Sequence, residues 1–192
     1  MTKVLMGPST LIYPMPALLI GTVVGGKTNF MAVAWSGIAN AEPPMISVAI
    51  RHKRYTNQGI KEHQEFSVNV PSADLVKEVD YCGSVSGSKV DKAEVCGFKV
   101  FYGKLTHAPL IEQCPINMEC KVEHTLDLGS HALVIGRILE THVSESCLTN
   151  GEPDVIKIKP FAYIGRPDAY YYSLGDVLGK AFSIGQSLRK KG

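Results

Sequence analysis

Apolar and polar residues alternate with a period of two in several short runs separated by Gly and Pro, the pattern of half-buried antiparallel strands. In Met45 to Ile50, Ile46, Val48 and Ile50 fall on one side after the Pro43-Pro44 turn, and Phe66, Val68 and Val70 do the same in a run closed by Pro71. Further strands are predicted at Phe98 to Leu105, Met118 to His124 and Ala132 to Thr141, with a shorter one at Val155 to Ile158. Helical spacing is rarer. Thr56, whose hydroxyl can cap orphan N–H groups, starts a helix toward His63; Ser72 caps a second through Asp80, with Leu75, Val76 and Val79 as its apolar stripe. Leu174, Leu178, Ala181, Ile184 and Leu188 predict a docked C-terminal helix, weakened by Gly179 and Gly185. Together these runs predict a mainly β fold, an antiparallel barrel or sandwich with a few flanking helices. One domain spans 1–192, with the Asn150-Gly151-Glu152-Pro153 turn dividing a sheet-rich body from a tail of about 150–192.

Gly21-Thr22-Val23-Val24-Gly25-Gly26-Lys27-Thr28 satisfies the phosphate-loop pattern G-x-x-x-x-G-K-[ST] letter for letter. Its neighbours point elsewhere. Thr22, Val23 and Val24 are β-branched and stiff where such a loop must curl, and Gly25-Gly26 is a hairpin dipeptide followed by β-compatible residues from Asn29 to Ser36. Asp80, Asp127 and Asp154 do not end the apolar run that a magnesium-holding Asp requires. The octapeptide therefore predicts two strands joined by a Gly-Gly turn, with Lys27 as a turn residue.

Charge changes this picture little. The formal net charge is +2, with local basic runs at Arg51-His52-Lys53-Arg54 and Arg189-Lys190-Lys191, the second a solvated tail, so neither nucleic acid nor a membrane is an expected partner. No segment reaches the length of a spanning helix and the Met1 end lacks a secretory signal, which leads to a cytoplasmic expectation. Cys82, Cys96, Cys114, Cys120 and Cys147 form no C-x-x-C pair and read as reduced thiols; the six histidines show no H-x-x-x-H spacing, so no metal is expected.

Four places carry candidate chemistry. Arg51 to Thr56 joins a strand end to a helix start, where cations, a hydroxyl and unpaired helix N–H groups suit a phosphate or make a solvated basic turn. Cys82-Gly83-Ser84-Val85-Ser86-Gly87-Ser88-Lys89, with Lys92 beyond, is an anion cradle or a flexible loop; Val85 stands where a serine-hydrolase elbow needs its nucleophile. Trp35, the single tryptophan, sits with Asn29 and Ser36 on the second hairpin strand and either flanks a planar ligand or fills the core. His131, after Gly129-Ser130 at a strand mouth, either meets a substrate or is a satisfied histidine.

Taken in order, several fragments resemble the flavin reductase-like, FMN-binding split-barrel family, most closely its flavoredoxin-like branch. They are Pro16-Ala17-Leu18-Leu19-Ile20-Gly21-Thr22, Asn29-Phe30-Met31-Ala32-Val33-Ala34-Trp35-Ser36, Pro43-Pro44-Met45-Ile46-Ser47-Val48, Arg54-Tyr55-Thr56 and Phe66-Ser67-Val68-Asn69-Val70. Cys82-Gly83-Ser84-Val85-Ser86-Gly87 with Asp91-Lys92, Glu119-Cys120 and Gly129-Ser130-His131 complete the set, which covers nearly the whole chain. The resemblance implies an antiparallel, Greek-key split β-barrel, a homodimer, and FMN held noncovalently near the subunit interface. Carried over residue by residue, it assigns Asn29, Ala34, Trp35 and Ser36 to the flavin and its ribityl chain and Arg51, Lys53 and Thr56 to the phosphate. Cys82, Ser84 and Lys92 extend the site, His131 is the substrate-binding candidate, and no catalytic acid or base is required.

The implied activity is that of an oxidoreductase taking electrons from NAD(P)H or a redox protein and passing them to flavin, a ferric chelate or another acceptor. The alternative is a flavoredoxin-type electron carrier or flavin-binding module without NAD(P)H turnover of its own. Gly129-Ser130-His131 departs from the reductase pattern, in which an acidic residue commonly precedes the His. Tyr163, Tyr170, Tyr171 and Tyr172 are expected to pack over the flavin or the partner subunit, or to serve the structure alone.

Overall fold

The computed structural model describes residues 1–188 and begins with an irregular arm, 1–14. Strand β1 (Met15–Pro16) leads into β2 (Leu18–Val24), β3 (Lys27–Val33), β4 (Ser36–Asn40) and β5 (Met45–Arg51). Helix α1 (Thr56–His63), β6 (Glu65–Val70), α2 (Val76–Ser84) and α3 (Lys92–Val95) follow, then β7 (Val100–Phe101) and β8 (Leu110–Ile111). The long strands β9 (Ile116–Asp127) and β10 (His131–Val143) precede a small hairpin, β11 (Leu148–Thr149) and β12 (Glu152–Pro153). Helix α4 (Val155–Ile158) and the hairpin of β13 (Phe161–Ile164) and β14 (Tyr170–Ser173) come last.

Seven strands make one antiparallel sheet in the order β3-β2-β6-β9-β10-β5-β4. Alternate side chains from β2, β3, β5, β6, β9 and β10 meet in a single core, with Ile20, Val48, Phe66, Val68 and Cys120 fully enclosed, so the sheet wraps around its own apolar face. The wrap is incomplete: β3 and β4 are its two edges, consecutive in the chain and joined through Ala34-Trp35, without a ladder between them. This is the split-barrel arrangement, mainly β and antiparallel. A second apolar cluster lies on the other face of β2 and β3, where Leu19 and Phe30 pack with Val79 and Cys82 of α2 and with Ile111 and Phe161. Burial on both faces explains why Leu18 to Val24 is almost continuously apolar.

The Gly-Gly turn forms as its sequence requires. Val24 pairs with Lys27, and Gly25 and Gly26 take φ of 56° and 76°, the left-handed geometry that two-residue hairpins need at both central positions. Helix α1 crosses β2 so closely that a Cβ on Gly59 would overlap the Val23 carbonyl and the Thr22 side chain. Gly59→Ala therefore gains helix propensity yet is expected to destabilise the fold by about 1–3 kcal/mol, because α1 must lift from β2. Urea unfolding measures this; an unchanged or higher midpoint would show that the contact yields freely.

Several predicted elements take another form. The Phe98 to Leu105 strand shrinks to Val100–Phe101, because the buried Glu119 carboxylate, rather than a neighbouring strand, accepts the Leu105 N–H at 2.7 Å. Val155 to Ile158 is a helical turn, since Asp154 caps it by accepting from the Ile156 N–H at 2.8 Å. Neither predicted hydroxyl cap operates: Thr56 is the first helical residue of α1, and Ser72 precedes a 3-10 turn, Ala73–Leu75, that feeds α2. Asn29 to Ser36 divides between β3 and β4. The C-terminal helix is reduced to a 3-10 turn, Ile184–Leu188, exposed rather than docked; Gly175, Gly179 and Gly185 disfavour a continuous helix where no packed face compensates. The Arg189-Lys190-Lys191 run lies outside the described residues. Among the described residues no helix is long and apolar enough to cross a membrane, and all five cysteines are free thiols.

Candidate functional site

β5 ends at Arg51, and the chain turns through His52 to Tyr55 into α1, so that basic side chains gather where α1 begins. Opposite them lies the loop leaving α2, with α3 behind it. Between the two is a pocket of ≈ 320 Å³ whose lining includes Asn29, Arg51, Lys53, Arg54, Thr56, Ser84, Ser86, Gly87 and Lys92. Among the described residues, none of Arg51, Lys53, Arg54 and Lys92 has a carboxylate within ion-pair distance. Four cations at one pocket without a counter-charge form an anion site in waiting.

Lys92 is only 3% exposed, and its Nζ donates to the carbonyls of Phe30 and Cys82, both at 2.8 Å, bracing the end of α2 against β3. Burial is the main cause that lowers its pKa from the ordinary lysine value, a penalty that an incoming anion would relieve. Arg54 braces the same loop through Nη1, which donates to the Gly83 carbonyl at 3.0 Å. Asn29, 4% exposed, donates from Nδ2 to Thr56 Oγ1 at 2.7 Å, which leaves the Thr56 hydroxyl proton free to be donated. Asn29 Oδ1 is buried without a donor. Gly87 lies directly against that oxygen, in a space that a Cβ would fill.

A second pocket, ≈ 670 Å³, shares Met31, Arg51, Arg54, Gly83 and Ser84 with the first, so the two form one continuous groove. Its walls are the β3 end with Ala34 and Trp35, the β10 start at His131, Val79 and Asp80 of α2, and Tyr163 and Tyr171 of the tail hairpin. Trp35 and His131 stack with ring centroids 4.8 Å apart and planes inclined by 25°. His131 Nδ1 lies 2.8 Å from Ser130 Oγ, and burial, then the Arg51 and His52 charges, depress its pKa, which favours the neutral ring at neutral pH. The nearby carboxylate of Asp127 is engaged elsewhere, with His52 Nε2 at 3.0 Å and the Gly129 N–H at 2.8 Å.

Tyr171 OH donates to Asp80 Oδ1 at 3.1 Å and ties the tail hairpin to α2 across this pocket. Burial, and next the Asp80 charge, push its pKa up to about 12. The folded state thus keeps a proton that the unfolded chain loses near pH 10, so this group's contribution to stability is present below pH 10 and is lost as pH rises toward about 12. Denaturant unfolding at stepped alkaline pH should show this decline, with a shallower slope in Tyr171→Phe; equal slopes would assign the decline to other groups.

Of the residues singled out from the sequence, Asn29, Arg51, Lys53, Thr56, Ser84 and Lys92 line the basic pocket. Ala34, Trp35 and His131 line the second, with Arg51 and Ser84 common to both. Trp35 is 41% exposed and is not a core residue. Two of the assigned residues reach neither pocket. The Ser36 hydroxyl donates to the Ser47 carbonyl at 2.8 Å and stitches β4 to β5. The Cys82 thiol is turned into the apolar cluster, where burial pushes its pKa up to about 12, and only its carbonyl meets Lys92. Arg54, Tyr13 and Asp80 line the groove without having been assigned to it. Arg54 belonged to the basic run already noted, whereas Tyr13 and Asp80 arrive by tertiary packing and carried no local signal.

Comparison with known proteins places the fold that carries this groove. The flavin reductase like domain matches residues 10–166. Flavoredoxin from Methanosarcina acetivorans superposes with a TM-score of 0.93 at 42% identity, over 98% of this chain and 100% of that one. Flavoredoxin of Desulfovibrio vulgaris (Miyazaki F) does so with a TM-score of 0.89 at 36% identity, over 96% and 100%. An uncharacterized protein of Archaeoglobus fulgidus is 37% identical over 145 residues, 75% of this chain and 80% of that protein. The matched span contains every pocket residue named above except Tyr171, and with the shared split barrel it establishes that the chain belongs to the flavin reductase-like family.

Proposed function

We propose that this chain binds FMN noncovalently and serves as an electron-transferring oxidoreductase. The observation that carries this reading is the junction of a carboxylate-free basic pocket with a flat-walled aromatic one, a match for a phosphate and a planar ring on one ligand. Individual donors and acceptors fit the same ligand. The orphan Oδ1 of Asn29 suits a ribityl hydroxyl, and the bare backbone at Gly87 admits close approach. The Thr56 hydroxyl, the remaining Lys92 N–H and the Arg51 and Lys53 side chains suit the phosphate, while Trp35 and His131 offer stacked rings beside the flavin. When bound, FMN supplies two-electron hydride or single-electron acceptance. The chain's own residues anchor the phosphate, fix the ring plane and, through Tyr163 and Tyr171, limit water on one side.

NAD(P)H or a reduced redox protein would be the electron donor, and flavin, a ferric chelate or a carrier the acceptor. The likeness to two flavoredoxins, and Ser130 in place of an acidic residue before His131, favour the carrier form of this activity. We read residues 1–192 as one flavin domain whose 150–192 tail packs on the body or on a second subunit of a homodimer, in a reducing cytoplasm suited to five free thiols.

An absorption spectrum of the protein as purified, followed by anaerobic NADH and then NADPH, tests the reading. Flavin bands are expected, with fast bleaching by a pyridine nucleotide marking the reductase and slow bleaching by both marking the carrier. A colourless protein whose Trp35 fluorescence ignores added FMN would overturn it.

A further inference from the structure

Beyond the β13–β14 hairpin, the hydrogen bonds of residues 174–188 stay, among the described residues, within the segment: Ser183 and Ile184 N–H donate to the Lys180 carbonyl, Gln186 N–H to the Ser183 carbonyl and Gln186 Nε2 to the Phe182 carbonyl. Yet this segment holds large apolar side chains out in solvent, with Leu178 93% and Phe182 99% exposed. Exposed apolar surface of that extent marks a contact site. A second surface of the same chain is in a similar condition. The arm from Ser9 to Pro16, with Ala34, Trp35 and Ser36, lines an open groove of ≈ 460 Å³ that includes no charged residue. This groove adjoins the aromatic pocket and shares Ala34 and Trp35 with it. The tail is a chemical match, since between Leu174 and Leu188 only Asp176 and Lys180 are charged.

We propose that the segment Leu174–Leu188 of a second copy of this chain occupies this groove, so that each copy's tail lies beside the other's Trp35 and closes the outer wall of its flavin pocket. The inference rests on the dimeric reading above and specifies its contact. A second copy is the occupant that satisfies both surfaces, because a two-fold exchange covers two tails and two grooves and then closes. An unrelated protein or a membrane would cover one surface and leave its complement in water. The tail is also no peculiarity of this chain: it lies beyond the matched domain at 10–166, yet the superposition on the Methanosarcina acetivorans flavoredoxin takes in 98% of this chain and all of that one.

Photo-crosslinking of the full-length, flavin-loaded protein carrying p-benzoylphenylalanine at Phe182 tests the exchange, using a mixture of isotopically light and heavy chains. Mixed-isotope cross-links from position 182 to residues 9–16 or 34–36 are expected. In the surface variant Leu178→Asp/Phe182→Asp, the dimer dissociation constant measured by sedimentation should rise at least tenfold. Cross-links confined to one copy, cross-links to another protein, or an unchanged dissociation constant would overturn the exchange and leave the flavoprotein dimer standing. A wild-type protein that sediments as a single 20.9 kDa chain at every concentration overturns both.

Discussion

Lys92→Met should purify with little or no FMN and unfold at a clearly lower urea concentration than the parent. The Lys92 ammonium serves two buried carbonyls, Phe30 and Cys82, and methionine can serve neither. Leaving each of two buried acceptors unpaired costs about 1–3 kcal/mol. Part of this is offset, because an ammonium buried without a carboxylate partner is itself unfavourable, as its lowered pKa records. A net loss of about 2–4 kcal/mol follows from these terms. Flavin affinity falls independently, since a charge-assisted bond to the phosphate is worth about 1.5–3 kcal/mol, or about ten- to a hundredfold in dissociation constant. FMN and riboflavin titrations by Trp35 fluorescence separate the two effects. If the variant loses stability but binds both flavins as the parent does, Lys92 is a brace alone and not a phosphate ligand.

Gly87→Ala separates the effects in the opposite direction. A Cβ at position 87 would overlap the buried Asn29 Oδ1, so either the loop swings outward or Asn29 gives up its bond to Thr56. Both displacements disturb ligand donors. We expect FMN to bind about a hundredfold more weakly, equivalent to about 2.8 kcal/mol, while the urea midpoint of the flavin-free protein moves little, because Gly87 lies in a loop outside both apolar clusters. An unchanged FMN dissociation constant would show that this loop does not close on the ligand.

The period-two runs located the barrel because strands buried on one face write that face into every second residue, as Ile46, Val48 and Ile50 do. Turn chemistry was equally local: Gly25-Gly26 needed only its own left-handed φ angles to declare a hairpin and dismiss a phosphate loop. What failed depended on distant partners. Leu105 leaves a strand because Glu119, fourteen residues away, accepts its N–H, and the tail whose spacing suggests a docked helix stands exposed along its described residues. The site divides in the same way. Lys92 and Arg51 stood in recognisable motifs, but nothing local said that the Cys82 thiol would turn away while its carbonyl stayed, or that Tyr13 and Asp80 would join the wall.

The seam between β3 and β4 has a thermodynamic meaning. Asn29 and Met31 stand on one side of it in β3, while Arg51 and Lys53 stand at the far end of the sheet, on and just after β5. A ligand held by both groups crosslinks the β3 edge to β5, the strand just inside the β4 edge, and no backbone ladder joins β3 to that end of the sheet. FMN would then act as a missing rung, and its binding energy would be lent to the closure of the barrel as well as to its own retention. Removal of flavin should loosen β4 and the Ala34-Trp35 link first, as faster amide exchange there than in β9 or β10.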